Sequence, residues 1–571
     1  MVDLYGNPFY LSESQAKWVT DTVNSMTEDE LIGQVFALIC RDCSPEGLSS
    51  FIGKYSPGGI FMIGKTDDPV DAINMAQSVS RIPLIVSCDA ETGGNYMLPG
   101  STNVATAIEV AAAGDPKYAG WIGEVSAKEM KANGENCSFA PVIDIMNNFR
   151  NPILTVRTFG KDPEFIRDCG IEYVKNCQGN GVPACLKHFP GDGMDERDQH
   201  LVASVNSCST EEWDKTYGMI YKSCIDAGVK MVMAGHIHLP SYVKKFNPSI
   251  KDEDIMPATL SPELINGLLR EQLGFNGMVI TDASSMIGYY SMDRRKAIPV
   301  SLAAGCDMIL FQRDLEEDFR AVRDGIKEGI LTWDRLREAV TRILALKASA
   351  DLNLKKADGS IAVTKEQRAA VMGTGMFRHY DEEIADKAIT LVKDTRNILP
   401  LDPKKHRRVL LYPYIREISY MTNDTGVLDI MVEELEKEGF EVTVFKTPED
   451  LSKTTAISSS YKYGFLPEHF DLILYMADML TDTYSNDTHL HYMTNMGTMD
   501  APTYYHTIPT VFISFANPYH LLDFPRVPVY INAYKAKRST IHAVVQKMLG
   551  KSEFKGVSPV DPFLGMWDTR L

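Results

Sequence analysis

In Asp198-Gln199-His200 a carboxylate stands two residues before an imidazole. In extended backbone such residues project to the same side, so Asp198 can hydrogen-bond the ring of His200. That partner fixes the tautomer and raises the ring's basicity, which suits a general acid/base near neutral pH. The pair follows Lys187-His188-Phe189-Pro190-Gly191-Asp192-Gly193, where one proline and two glycines build a turn able to approach a ligand closely. A second candidate is Asp282, in Thr281-Asp282-Ala283-Ser284-Ser285. Its carboxylate suits attack on the anomeric carbon of a sugar. On residue chemistry alone it reads equally as a structural turn carboxylate. His236-Ile237-His238 offers a third chemistry, since imidazoles at i and i+2 can share a metal ion.

These residues close apolar runs, and the runs predict the elements that position them. Candidate strands span 33–40, 59–64, 83–89, 138–144, 184–189, 230–236, 277–282 and 307–311. Continuous runs such as Met278-Val279-Ile280 suit parallel strands covered on both faces. Helices are predicted between them. One starts at Ser209 with Glu212 completing a capping box, carries Trp213, Tyr217, Ile220 and Cys224 on one stripe, and stops near Gly228. Another opens Ser261-Pro262 and ends at Gly274. Trp121, Trp213 and Trp333 lie in helical stretches and read as core. The alternation predicts an α/β chain with an N-terminal (β/α)8 TIM-like barrel over residues 1–350. A doubly wound sheet is the lesser reading, because no GxGxxG follows an early strand. In a barrel the carboxyl ends of the strands form one face. Asp89, Asp144, Lys187, His188, His236 and Asp282 would then converge on a deep pocket for a small polar molecule.

Residues 351–395 read as a polar connector with helical segments, and 396–571 as a smaller α/β sandwich with strands at 409–412, 442–445, 472–476, 510–515 and 527–531. A Tyr/His/Asn-rich stretch at 481–506 reads as an ordered surface loop.

Composition narrows the function classes. The 571 residues are 44% hydrophobic and 23% charged, which excludes wholesale disorder and a membrane bundle. With 58 basic against 76 acidic residues the net charge is −18, opposite to a nucleic-acid footprint. The expected partner is therefore neither nucleic acid nor membrane. The first residues show no basic segment followed by an apolar core, and the ten cysteines are read as isolated, reduced thiols. Both point to a cytoplasmic protein.

Longer motifs carry a family resemblance along nearly the whole chain. They are Phe139-Ala140-Pro141-Val142-Ile143-Asp144, Arg157-Thr158-Phe159-Gly160, Lys187-His188-Phe189-Pro190-Gly191 with the Asp198/His200 dyad, Thr281-Asp282, Ile389-Thr390-Leu391-Val392-Lys393, Ser514-Phe515-Ala516-Asn517-Pro518-Tyr519 and Gly556-Val557-Ser558-Pro559-Val560. In these the chain resembles glycoside hydrolase family three, and within it the β-N-acetylglucosaminidase branch. The resemblance implies a retaining enzyme that removes terminal β-linked N-acetylglucosamine through a covalent glycosyl-aspartate, with no cofactor and no metal. It implies Asp282 as nucleophile, His200 as acid/base and Asp198 as its partner. It further implies that Asp89, Arg157, Lys187 and His188 hold the hydroxyls of a small carbohydrate. Two positions depart from the family pattern. Asp192 stands where a histidine is usual, and Asp89-Ala90-Glu91-Thr92-Gly93-Gly94-Asn95 lacks the arginine that normally ends the third-strand motif. The resemblance therefore implies no particular aglycone.

Three rivals remain at this level. A phosphorylase would keep the fold and pass the sugar to phosphate, which a neutral histidine tolerates better than a carboxylate does. A metal-dependent hydrolase would use His236 and His238. A non-catalytic sugar-binding protein is disfavoured because every catalytic position is filled.

Overall fold

The computed structural model describes residues 2–62, 69–94, 98, 100–415, 426–445, 465–479, 488–490 and 505–571. Its eight barrel strands are β1 Phe36–Cys40, β2 Gly59–Met62, β3 Ile85–Cys88, β4 Cys137–Ser138, β5 Cys185–Phe189, β6 Met231–Ala234, β7 Met278–Thr281 and β8 Ile309–Leu310. One parallel sheet runs β8–β1–β2–β3–β4 and another β5–β6–β7. Parallel bridges Ser138↔Ala184 and Ile280↔Met308 join the two into a ring. The chain is thus an α/β barrel, and every strand but the fourth falls within an apolar run identified in the sequence, the fourth sharing only Ser138 with its run. The fourth is cut to two residues. Pro141 has no N–H for a ladder, so pairing resumes past it only at the bridge Val142↔Lys187. Phe36, Leu38, Phe61, Ile85, Phe139, Met233, Ile280 and Leu310 belong to one buried core.

The helix predicted after Ser209 has its capping box, with Ser209 Oγ accepting from the Glu212 N–H. It passes through one π turn over Asp214–Gly218 and ends before Gly228, whose φ of +90° glycine adopts readily. The helix after Ser261-Pro262 is wound as a π-helix over Glu263–Gln272. Among the described residues no helix is long and apolar enough to cross a membrane.

The chain divides into two compact units. The first comprises Met1–Val104, Pro116–Asn148 and Lys161–Arg378; the second comprises Ala105–Asp115, Phe149–Gly160 and His379–Leu571. The second unit holds β9 Thr390–Asp394, β10 Arg408–Ile415, β11 Glu441–Val444, β12 Leu472–Asp478, β13 Thr510–Ser514 and β14 Val529–Asn532. They pair in the order β9–β14–β13–β12–β10–β11. All neighbours are parallel except β9 and β14, which run antiparallel. Successive residues of β10 enter different cores, Val409 and Leu411 one, Leu410 and Tyr412 the other, so both faces of the sheet are covered. The stretch 481–506 lies outside the described residues except for Thr488–Leu490 and Tyr505-His506.

The cysteines need one correction. Cys40-Arg41-Asp42-Cys43 is a C-x-x-C pair that the sequence reading passed over, and its sulfurs lie 3.7 Å apart.

Candidate active site

The site is built at the carboxyl ends of β3, β5 and β7. Lys187, inside β5, is buried, and its Nζ donates to Asp89 Oδ1 and contacts Glu91 Oε1, each at 2.7 Å. An ammonium held between two carboxylates suits polar anchoring rather than proton transfer. Glu91 is a site residue that sequence reasoning quoted without assigning it a role. Its signal was the Asp89-x-Glu91 spacing, which puts both carboxylates on one side of extended backbone.

Next along β5, His188 meets the fully buried Asp144. The His188 N–H donates to both carboxylate oxygens at 3.1 and 3.2 Å, and Nδ1 lies 2.7 Å from Oδ2. Asp144 Oδ1 also accepts from the Asp192 N–H at 2.8 Å. Asp144 is therefore a clamp on the turn after β5, not the pocket-facing carboxylate that its strand-end position suggested.

That turn is also held from outside by the helix stripe. Trp213 Nε1 donates to the Pro190 carbonyl at 2.7 Å, and the Tyr217 hydroxyl donates to the Asp192 carbonyl at 2.8 Å. At Gly191, φ is +119° and a Cβ would sit 2.1 Å from the Tyr217 ring, so glycine is required there. Asp192 braces the loop in its own right: Oδ1 accepts from the Gly193 N–H at 2.7 Å, and Oδ2 lies 3.4 Å from Gln199 Nε2.

The loop thus braced carries the dyad. His200 Nδ1 lies 2.6 Å from Asp198 Oδ1, which also accepts the His200 N–H at 2.8 Å. Asp198 is fully buried, whereas the His200 side chain keeps 21% exposure. The carboxylate accepts a hydrogen bond from Nδ1–H, so in the neutral ring Nε2 is the basic nitrogen. Two backbone bonds fasten this loop to the one after β7, Ile287 N–H to the His200 carbonyl and Gly288 N–H to the Gln199 carbonyl.

Asp282 closes β7. Its N–H donates to the Ala234 carbonyl at 2.7 Å, and its Oδ1 accepts from the Ala283 N–H at 2.7 Å. Burial pushes its carboxyl up, but His188, His236 and His200 around it outweigh this and hold it below the usual carboxylate range. An ionised, 9%-exposed carboxylate ringed by imidazoles is a poised nucleophile or an ion-pair partner.

His236 plays a different part from the one its sequence position suggested. Its Nε2 lies 3.1 Å from the Ala283 carbonyl and must donate to it, and Nδ1 lies 3.1 Å from Thr259 Oγ1. Burial pushes the ring below its ordinary pKa. With both nitrogens engaged, His236 orients the backbone beside Asp282 and offers no lone pair for the His236/His238 metal reading. Arg157 belongs to the second unit, on Phe149–Gly160, where its N–H donates to the Leu154 carbonyl and Nη1 lies 3.5 Å from the Ile153 carbonyl.

Comparison with known proteins adds four findings. The family model described as "Glycosyl hydrolase family 3 N terminal domain" matches residues 42–346. A Cellulomonas fimi protein named beta-N-acetylglucosaminidase/beta-glucosidase is 40% identical over 100% of both chains. Among solved structures, one named beta-glucoside phosphorylase BglX is 38% identical, with a TM-score of 0.90 over 99% of each chain. A family 3 β-N-acetylglucosaminidase from Paenibacillus is similar in fold, with a TM-score of 0.78 and 23% identity over 95% of this chain and 100% of that one.

Proposed function

The chain belongs to glycosyl hydrolase family 3 and is a glycosidase, and we propose that it releases terminal β-linked N-acetylglucosamine by double displacement at Asp282. The observation that carries this reading is the Asp198–His200 hydrogen bond of 2.6 Å on a loop fastened to the one after Asp282. In the first step Asp282 attacks the anomeric carbon while the His200 imidazolium gives its Nε2 proton to the departing glycosidic oxygen. Asp198 stabilises the charged ring and keeps its orientation. In the second step His200, now neutral, takes a proton from water as the water attacks the glycosyl–Asp282 ester. Asp89, Lys187 and His188 bind the sugar, with Lys187 holding Asp89 and Glu91 as acceptors for hydroxyls. The ten thiols, with no disulfide in the structure, support a cytoplasmic enzyme.

A second reading concerns the acceptor. The full-length likeness to a β-glucoside phosphorylase, at 38% identity, favours phosphate in place of water. Phosphate arrives already anionic and needs no base, and a neutral imidazole repels it less than a carboxylate acid/base would. One experiment separates the readings. Nitrophenyl β-N-acetylglucosaminide and β-glucoside are turned over with and without phosphate, and products are identified by mass spectrometry. Free N-acetylglucosamine in both conditions supports hydrolysis. A sugar 1-phosphate formed only with phosphate supports the phosphorylase. Equal kcat/KM on the two glycosides overturns the N-acetyl preference.

A further inference from the structure

We infer that Cys40 and Cys43 form a dithiol–disulfide redox site on the catalytic rim of the barrel. Cys40 is the last residue of β1, and Cys43 directly precedes Ser44, whose hydroxyl caps the helix Pro45–Tyr55. The two Sγ atoms lie 3.7 Å apart, with Cys40 Sγ also 3.5 Å from the Asp42 carbonyl. A bonded pair needs about 2.05 Å between sulfurs, so closure is a movement of side chains over less than two bond lengths. The strand end is anchored for such closure. Gln312, after β8, accepts from the Ile39 N–H at 2.9 Å and donates to the Ile39 carbonyl at 3.1 Å. The intervening Arg41 and Asp42 are exposed and can follow the sulfurs.

The pair stands apart from the other thiols. Of the ten cysteines, Cys43 alone is not buried. Burial holds the thiols of Cys177, Cys224 and Cys306 up at about 12, protonated and unreactive. Cys43 differs because the Cys40 thiol donates a hydrogen bond to it, which outweighs burial and the nearby Asp42 and brings it down to about 7. The donor, Cys40, is raised by the same interaction. The accessible sulfur is thus the thiolate, and the buried sulfur behind it is the resolving thiol.

The reaction needs an oxidant, a small-molecule disulfide such as oxidised glutathione. The Cys43 thiolate attacks one of its sulfurs, the S–S bond breaks, and one glutathione thiolate leaves and is protonated by solvent. Cys40 then loses its proton to solvent and attacks Cys43 Sγ, expelling the second glutathione. The protein dithiol is oxidised by two electrons and the small disulfide is reduced to two thiols. Excess thiol runs the sequence backwards.

The test uses the full chain, equilibrated over a series of reduced-to-oxidised glutathione ratios, quenched in acid, alkylated in denaturant and mapped by mass spectrometry. The peptide with Cys40 and Cys43 is expected to lose both alkylation sites together, reversibly, while the other cysteines stay fully alkylated. Cys43→Ser abolishes the response, and Cys40→Ser stops at glutathione attached to Cys43. Full alkylation of both residues at the most oxidising ratio overturns the proposal. So does wild-type protein that accumulates glutathione on Cys43 with Cys40 still alkylated, since the pair then fails to close.

Discussion

The two ends of the barrel bury the same kind of carboxylate beside different cations. At the amino end, Asp307 is fully buried and lies 2.6 Å from Arg270, 2.7 Å from Arg335 and 3.5 Å from Arg342, and it also accepts the Val279 N–H. At the carboxyl end, Asp144 and Asp198 are equally buried, but their partners are His188 and His200. Burial pulls Arg270 down only to about 10, so near neutral pH the first arrangement has one protonation state and serves as a staple between β7, β8 and the helix Trp333–Ser349. An imidazole can both give and take a proton through its ring nitrogens, so the second can move protons. The fold thus separates holding from reacting by its choice of cation, at opposite ends of the barrel.

The largest expected effect comes from the reacting end. Asp282→Ala should lower kcat by at least about a thousandfold, because nothing else described at the site supplies a carboxylate nucleophile in its place. Its melting temperature should stay near that of the wild type, since among the described residues the side chain accepts a hydrogen bond from the neighbouring Ala283 N–H alone. Retention of more than about a tenth of kcat removes Asp282 from the nucleophile's role.

Next in size is His200→Ala, with an expected loss of ~10²–10⁴-fold on substrates with poor leaving groups. Dinitrophenyl glycosides depart unaided, so their first step should suffer less and the glycosyl–Asp282 ester should accumulate. Asp198→Asn should show a milder form, because the ring stays while its charged partner goes. A leaving-group series for both variants checks this. A uniform loss with no intermediate makes His200 a binding residue and erases its contrast with the arginine staple.

Much of this contrast was legible in the residues. The barrel strands stood out because parallel strands covered on both faces need unbroken apolar runs, and the dyad because i and i+2 spacing speaks for itself in extended backbone. What stayed hidden depends on pairing across long separations. Asp144 and His236 close their runs like pocket residues, yet partners 44 and 47 residues away turn both to structural work. Lys187 meets Asp89 across 98 residues, and the Asp89-x-Glu91 spacing pairs the two carboxylates without showing that a distant lysine joins them. β9 reads as connector because an edge strand with an antiparallel partner over 130 residues later has no local signature. Arg157 carries the family motif, while the membership of its segment in the second unit is a matter of tertiary contacts alone.

The staple itself supplies the third prediction. Asp307→Ala leaves three guanidinium groups without their shared carboxylate, and removing one partner of a buried ion pair costs about 3–5 kcal/mol. Thermal unfolding should shift down by several degrees, while kcat measured well below the transition stays within about twofold, as for sites that do not touch the chemistry. A large fall in kcat with unchanged stability would dissolve the division between the two ends.

The smallest effect tests a buried cation at the amino end that is held by an amide oxygen instead of a carboxylate. Lys347 is fully buried, and its Nζ donates to Gln34 Oε1 at 2.7 Å. Desolvation lowers its pKa from 10.5 to about 7. The sign of the consequence follows from proton linkage. Between about pH 7 and 10.5 the unfolded chain holds a proton on this lysine that the folded chain has released, so stability rises with pH across that window. Below it both states are charged and the folded state bears the whole burial penalty. Lys347→Met removes the penalty but leaves the Gln34 oxygen without its donor, a loss of about 1–3 kcal/mol. The variant should therefore unfold at a higher temperature than the wild type at pH 6, with the advantage shrinking as pH rises and reversing near pH 10, where only the lost hydrogen bond counts. Calorimetric scans of both proteins at pH 6, 8 and 10 measure that crossing. A stability difference that does not change with pH would mean that Lys347 keeps its proton on folding, and that the amino end can hold an unpaired buried charge after all.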